Sequence, residues 1–263
     1  MANRSEHTAR LVRGARIAET CPTVVSGRAV GTRSVRAARG GPSGIRWECR
    51  TLSAMAARLD HITVVAPNLE AGAAYVEAAL GVPPGAGRKH PGMATHNLLL
   101  ALGSAVYLEV ISPDPEAAPV ARPRWFGLDR MLPSSTPRLA AWVASTDDIA
   151  NTAVSELGEI ESMRRETHTW RMTVTADGSV PLDGACPLLI QRTSSVHPAA
   201  ALPQRGLHLQ GLRIRHPAPS EVLALLARIG LDSQPAVTVT QGNECSLVAE
   251  IQTPFGLREL GGS

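Results

Sequence analysis

Leu59-Asp60-His61-Ile62-Thr63-Val64-Val65-Ala66, followed by Pro67-Asn68 and the run Leu69 to Leu80, is the stretch from which the rest of this chain is read. The first eight residues are rich in β-branched side chains and end at a proline that cannot extend a ladder, which predicts a strand. Alternation puts His61, Thr63 and Val65 on one face of it. Asn68 is suited to cap a helix over Leu69 to Leu80, where Leu69, Ala73, Val76 and Leu80 trace one apolar stripe and Gly81 supplies the stop. A helix of that kind packs on the sheet to which the strand belongs.

Working outward, Thr95 to Leu102 and Ala105 to Ile111 read as a strand pair turned at Gly103-Ser104, with Tyr107, Glu109 and Ile111 on a shared face. Gly85 to His90 reads either as a short strand or as a loop. The sum is strand, helix, then two or three strands. A similar order returns: strand-like Arg138 to Ser145, a helix capped by Thr146-Asp147-Asp148 and running to Leu157, then strands at Met163 to Glu166, Thr169 to Thr175 and Cys186 to Arg192, with Asp177-Gly178 as a turn. A shorter third pass comprises Leu207 to Arg215, a helix from Ser220 to Ile229, Ala236 to Thr240 and Cys245 to Gln252. Repetition of one supersecondary unit is the main architectural signal.

Composition bounds what such a chain does. It has 263 residues, 44% hydrophobic and 19% charged, enough for a real core, but only 3% aromatic, which thins the supply of stacking platforms for bases or sugars. Residues 1 to 54 hold ten arginines against Glu6, Glu19 and Glu48, a balance of +7, so the remainder is −4 within a chain of +3. Any electrostatic case for nucleic acid therefore applies to the tail alone, and nucleic acid is not an expected partner of the folded part. Residues 1 to 56 read as a basic extension without sustained periodicity, and 57 to 263 as the folded domain, with modules at about 57–115, 136–193 and 205–260.

Three accounts of the extension stand: a transit peptide, a basic nucleic-acid arm, or residues that precede a start of translation at Met55, which is the account favoured here. Cys21, Cys49, Cys186 and Cys245 stand far apart with no C-x-x-C pair, so neither a zinc knuckle nor a disulfide framework is indicated. The longest apolar run, Asn97 to Ile111, is interrupted and falls short of the roughly 20 residues that span a bilayer. No membrane partner and a cytoplasmic location are expected. Nucleophile elbow, phosphate-binding loop and dinucleotide fingerprint are all missing from the sequence.

Several fragments taken in order carry a resemblance. Leu59-Asp60-His61-Ile62, Gly92-Met93-Ala94-Thr95-His96-Asn97, Tyr107-Leu108-Glu109-Val110-Ile111 with Pro113, Trp170-Arg171, and Cys186-Pro187-Leu188-Leu189-Ile190-Gln191 ending at His197-Pro198 together resemble the glyoxalase-like domain family. The resemblance covers roughly residues 57 to 260. That family lies in the vicinal oxygen chelate superfamily, and the resemblance implies an α+β fold of repeated βαβββ modules forming a cupped mixed sheet with helices outside. It implies a pocket in which a divalent metal (zinc, iron, manganese or nickel), held by His and Glu from the first and last strands of each module, chelates a small oxygenated substrate. It also raises the expectation of a homodimer.

His61 and Glu109 fall on the ligand positions of the first module and are the expected metal ligands and catalytic groups. The second module departs from the pattern, because Ala141 aligns with His61 and Gln191 with Glu109. His90, Thr95 and Asn97, which with His96 make a polar cluster beside Gly92, and Trp170 with Arg171 are the expected contacts to substrate, together with Gln191. The chain is thus expected to be a metal-assisted enzyme of isomerase, lyase or dioxygenase type acting on a small molecule, or else a metal-free protein that sequesters a small molecule in the same cup.

Overall fold

A computed structural model describes residues 57 to 263 except 166, 167, 195, 233, 235 and 263. The expectations for the basic extension lie outside the described residues. The opening stretch forms β1 (Arg58–Val65) and α1 (Leu69–Leu80). Asn68 Oδ1 accepts from the Ala71 N–H, and Gly81 ends the helix in the left-handed region at φ 73°. Three strands follow: β2 (Gly85–His90), β3 (Thr95–Ala101) and β4 (Tyr107–Pro113). Gly85 to His90, which the sequence leaves open, is a strand.

The second pass gives β5 (Arg138–Ser145), α2 (Ile149–Thr152), β6 (Glu159–Arg165), β7 (His168–Val174) and β8 (Leu188–Arg192). The helix expected to run to Leu157 is cut short. Asp148 caps it as expected, but Thr152 Oγ1 bonds back to the Asp148 carbonyl at 2.6 Å, and Ala153 and Val154 turn extended before a 3-10 turn at Ser155–Leu157. A β-branched residue at the break favours the extended backbone over another helical turn.

All eight strands form one mixed sheet in the order β2-β3-β4-β1-β5-β8-β7-β6. The two halves meet at the antiparallel pair β1 and β5, whose register is that of a local dyad: Ile62 faces Trp142, His61 faces Val143 and Thr63 faces Ala141. Swapping the strands about that point carries His61 onto Ala141 and Thr63 onto Val143. The register also slips between Leu59 and His61 and between Thr63 and Val64, which makes Asp60 and Ala140 the extra residues of two bulges in equivalent places. In the parallel pairings, Thr63 faces Glu109 and Val143 faces Leu188, so Leu188 is the counterpart of Glu109.

After the short α3 (Pro198–Ala201), the third pass is β9 (His208–His216), α4 (Pro219–Arg228), β10 (Val237–Gln241), β11 (Ser246–Thr253) and β12 (Gly256–Gly261). It has the element order of the modules and one strand more than the sequence suggests. Its topology differs: β9 and β10 are parallel neighbours across α4, in a separate four-stranded sheet ordered β10-β9-β11-β12. It adds no third leaf to the large sheet.

Two apolar clusters flank the large sheet. On the outer face Ile62, Val64, Leu108, Val110 and Trp142 pack with Val76 and Leu80 of α1, Val222 and Leu225 of α4, and Leu247, Ile251 and Leu260 of the small sheet. Gly72 lets α1 lie close, since a Cβ there would fall 2.3 Å from Val110 Cγ1. On the inner face Val65, Ile111, Val143, Met172, Leu188 and Ile190 pack with Trp125 and Phe126 from the connection between the modules. The fold is α+β, a curled mixed sheet with its helices outside.

Candidate functional site

The inner face of the curled sheet encloses a cavity of about 270 Å³. One half contributes His61, Asn97, Tyr107 and Glu109, and the other contributes Trp170, Met172, Ile190 and Arg192. Trp125 and Phe126 close one side, the latter in the left-handed region at φ 58°, and His197 comes from the segment after β8.

Its deepest feature is a buried polar hub. Asp60 is fully buried, yet it accepts hydrogen bonds from His61 Nδ1 at 2.6 Å and His197 Nε2 at 3.0 Å, and pairs with the Arg192 guanidinium. Strict alternation would send Asp60 to the face opposite His61; the bulge brings both to one side. Burial alone would push the Asp60 carboxyl up, but bonds from His197 and His61 with the charge of Arg192 outweigh it and hold the pKa well below the usual carboxylate range. His197 Nδ1 accepts from the Ala199 N–H, so its Nε2 carries the proton given to Asp60. Arg192 also reaches the Tyr107 hydroxyl at 3.0 Å, and the Tyr107 ring stacks on His61 with centroids 4.5 Å apart. Burial pushes the Tyr107 phenol up and keeps it neutral.

These contacts fix His61. With Nδ1–H turned to Asp60, its Nε2 points at Glu109 Oε2, 3.6 Å away. That separation is longer than a hydrogen bond, so both atoms are left to face a reacting atom placed beside the pair. Glu109 is itself buried, and its Oε1 accepts from Asn97 Nδ2 at 2.6 Å. Asn97 Oδ1 in turn accepts from the Arg88 N–H at 2.7 Å. One carboxylate oxygen is thus pinned and the other faces the imidazole.

The structure brings together His61, Glu109, His90, Asn97 and Trp170 on the cavity wall. Thr95 stands behind it, fully buried, with its hydroxyl 3.2 Å from His90 Nδ1. Arg171 and Gln191 are elsewhere. Trp170 faces Arg192 and Arg171 faces Gln191 across β7 and β8, so the two pairs lie on opposite faces of the sheet. Gln191 is held outside, donating to the Asp147 carbonyl at 2.6 Å and accepting from the Ile149 N–H at 3.2 Å at the start of α2. The expectations for Arg171 and Gln191 are corrected accordingly, and so is the alignment of Gln191 with Glu109, since the register puts Leu188 there.

Sequence reading missed Asp60, Tyr107, Arg192 and His197 as a group. The one available signal was Asp60 itself, an acid inside an apolar strand, which demands a buried partner.

The divalent metal implied by the resemblance would need donors from both halves of the sheet. The dyad positions of His61 and Glu109 hold Ala141 and Leu188, and neither can ligate. Asp60 is adjacent, but both its oxygens are taken. Among the described residues no group of three His, Cys, Asp or Glu is placed to hold a metal ion. Two donors fall short of the three protein ligands usual even in open catalytic sites. The residues present do not fit a resident metal, and no step below passes through one. Among the described residues, no helix is long and apolar enough to cross a membrane.

A family model described as a glyoxalase-like domain matches residues 59–230. No match is found among curated proteins. Among solved structures, a hypothetical protein from Staphylococcus aureus is similar over 74% of this chain and 81% of its own, at 14% identity and a TM-score of 0.47. A methylmalonyl-CoA epimerase in complex with methylmalonyl-CoA and NH4+ aligns over 54% of this chain and 99% of its own, at 16% identity and a TM-score of 0.38. An Mn(II)-bound glyoxalase from Novosphingobium aromaticivorans aligns over 78% and 82%, at 9% identity and a TM-score of 0.37.

Proposed function

Starting from a chain that belongs to the glyoxalase-like domain family, we propose that it is a metal-independent proton-transfer enzyme, of isomerase or lyase type, acting on a small oxygenated molecule held in the cupped sheet. The observation that carries this reading is the line Asp60, His61, Glu109, in which a buried carboxylate fixes one imidazole nitrogen and the other faces a second carboxylate across 3.6 Å.

In the proposed step, Glu109 Oε2 removes a proton from a carbon next to a carbonyl and becomes a carboxylic acid. The electron pair left on carbon moves into the carbonyl, whose oxygen gains charge; when His61 carries a second proton, on Nε2, that oxygen accepts a hydrogen bond from it. Asp60 stabilises that imidazolium through Nδ1–H, the part a buried aspartate takes beside a catalytic histidine. Return of the proton from Glu109 to a neighbouring atom completes an isomerisation. Asn97 keeps Glu109 from rotating, and the apolar walls exclude water, which strengthens each of these interactions. Every group belongs to one chain, so the step needs no partner subunit.

The test is deuterium exchange. The full-length protein is incubated in D2O with a panel of small 2-oxo and 2-hydroxy acids, their amides and aldehydes, with and without a chelator, and loss of the α-proton is followed by NMR. Exchange that survives the chelator and falls at least about 100-fold in Glu109→Gln is the expected result. Binding of panel members with exchange in none of them would overturn the reading and favour the second one, a protein that sequesters the same molecule, for which the apolar second half of the cavity speaks.

A further inference from the structure

The cavity's charge is unbalanced in a way the proton-transfer step does not use. Among the described residues lining it, Glu109 is the one acid, against the guanidinium groups of Arg88 and Arg192. Arg192 is committed to Asp60 and Tyr107. Arg88 is exposed, and among the described residues its side chain makes no hydrogen bond or ion pair; only its backbone N–H is engaged, by Asn97.

Its position is built by a local irregularity in the sheet. The β2 and β3 register slips between Ala86 and Lys89, so Gly87 and Arg88 form a bulge. Gly87 fits because it has no side chain; a Cβ would lie 2.2 Å from Asn97 Oδ1. Asn97 Oδ1 then takes the Arg88 N–H that the broken ladder leaves without a strand partner. A bulge of this kind re-aims the side chain it carries. Arg88 lines both the cavity and the recess beside it, which places it at the rim.

One side chain, Asn97, therefore fixes the base Glu109 with its amide and the Arg88 backbone with its carbonyl. Asn97 thus ties the backbone that carries the rim cation to the reacting group.

We propose that Arg88 receives the carboxylate of the substrate, so that this site acts on small carboxylic acids whose reactive carbon then lies over Glu109; the inference rests on the proton-transfer reading for the second half of that statement only. A lone guanidinium presents a fork that matches a carboxylate bidentately. A phosphate dianion would bring more negative charge towards buried Glu109 with no second uncommitted guanidinium on the wall to balance it. The volume, about 270 Å³, lies just below the ~300–1,000 Å³ of pockets for drug-sized ligands and suits a compact acid.

Binding is measured by titration calorimetry on the full-length protein, with 2-oxobutanoate, its amide 2-oxobutanamide, and dihydroxyacetone phosphate as probes. Arg88→Met and Arg88→Lys are compared with unaltered Arg88 in a Glu109→Gln background, in which exchange is expected to be lost, so binding is read without turnover; the phosphate and the acid are compared in the wild type. The acid is expected to bind at least tenfold more tightly than the amide. Arg88→Met should erase that preference and leave the amide unchanged, and Arg88→Lys should restore it in part. Equal binding of acid and amide, equal loss of both in Arg88→Met, or a preference for the phosphate would overturn the proposal. If acids bind through Arg88 and none exchanges in the wild type, the proton-transfer reading falls and this one stands.

Discussion

The two halves of the large sheet share a backbone plan and differ in what they put on it. A dyad through Ile62 and Trp142 relates β1 to β5 down to a bulge in each. At the three equivalent positions the first half carries Asp60, His61 and Glu109, and the second carries Ala140, Ala141 and Leu188. The bulge therefore belongs to the architecture, and the chemistry is an addition made in one half. Charged groups in an enclosed site are costly to bury unless they are paired. Concentrating them in one half lets a single hub satisfy them, while the other half contributes close-packed apolar wall. Even that wall is tied in, because Arg192 from β8 completes the hub of β1.

The comparison breaks first at Glu109. Replacing it with the residue its counterpart carries, Glu109→Leu, should lower deuterium exchange about 100- to 10,000-fold while circular dichroism stays that of the wild type. Retained exchange would mean that the halves do not differ in chemistry as argued. Next in size is Asp60→Asn, which leaves the Arg192 charge uncompensated in a mostly buried setting and should reduce stability by about 3–5 kcal/mol in urea unfolding.

The same variant tests the sign of the pH effect. The Asp60 pKa is lowered in the folded state, so its contribution is present in full above the unfolded value near ~3.9 and is lost as pH falls through the lower folded value. The stability gap between wild type and Asp60→Asn should shrink below about pH 4. A gap that widens in acid would contradict the hub as described.

In the second half the equivalent test is Leu188→Ala, expected to cost about 2–5 kcal/mol through the cavity it leaves among Val143, Met172 and Ile190. Thermal unfolding and exchange measured on the same sample should separate, with the first falling and the rate per folded molecule surviving. The smallest effect is expected at Gln191→Ala, roughly 0.5–2 kcal/mol from the loss of a bond to the first turn of α2 and without change in ligand affinity. A fall in affinity there would return Gln191 to the site.

Much of the first half was legible from its residues alone. Asn68 and Gly81 bound α1 by local bonds, and Glu109 betrays itself as an acid in an apolar strand. The face on which Arg171 and Gln191 lie was not legible, because a strand's two faces are told apart only by register, and one residue of slip exchanges them. The face of Asp60 was not legible either, since alternation fails at a bulge that only pairing with β5 reveals. The third pass repeats the element order of the modules, yet strand order is a tertiary property, and β10 pairs with β9 where the modules interpose two strands. Arg88 gave no signal, because its role depends on a break in the ladder beside Asn97.

The hub also has a consequence in time. Asp60 lies 132 residues from Arg192 and 137 from His197, the longest closures in the site. Contacts of such separation pay a large loss of chain entropy and are expected late in folding. Asp60, which orients His61, gains its buried partners only when those contacts close. During refolding, therefore, ligand capture should lag the recovery of strand and helix signals, and a nascent chain stalled before residue 192 would hold Glu109, His61 and Asp60 without the Arg192 and His197 that complete the hub.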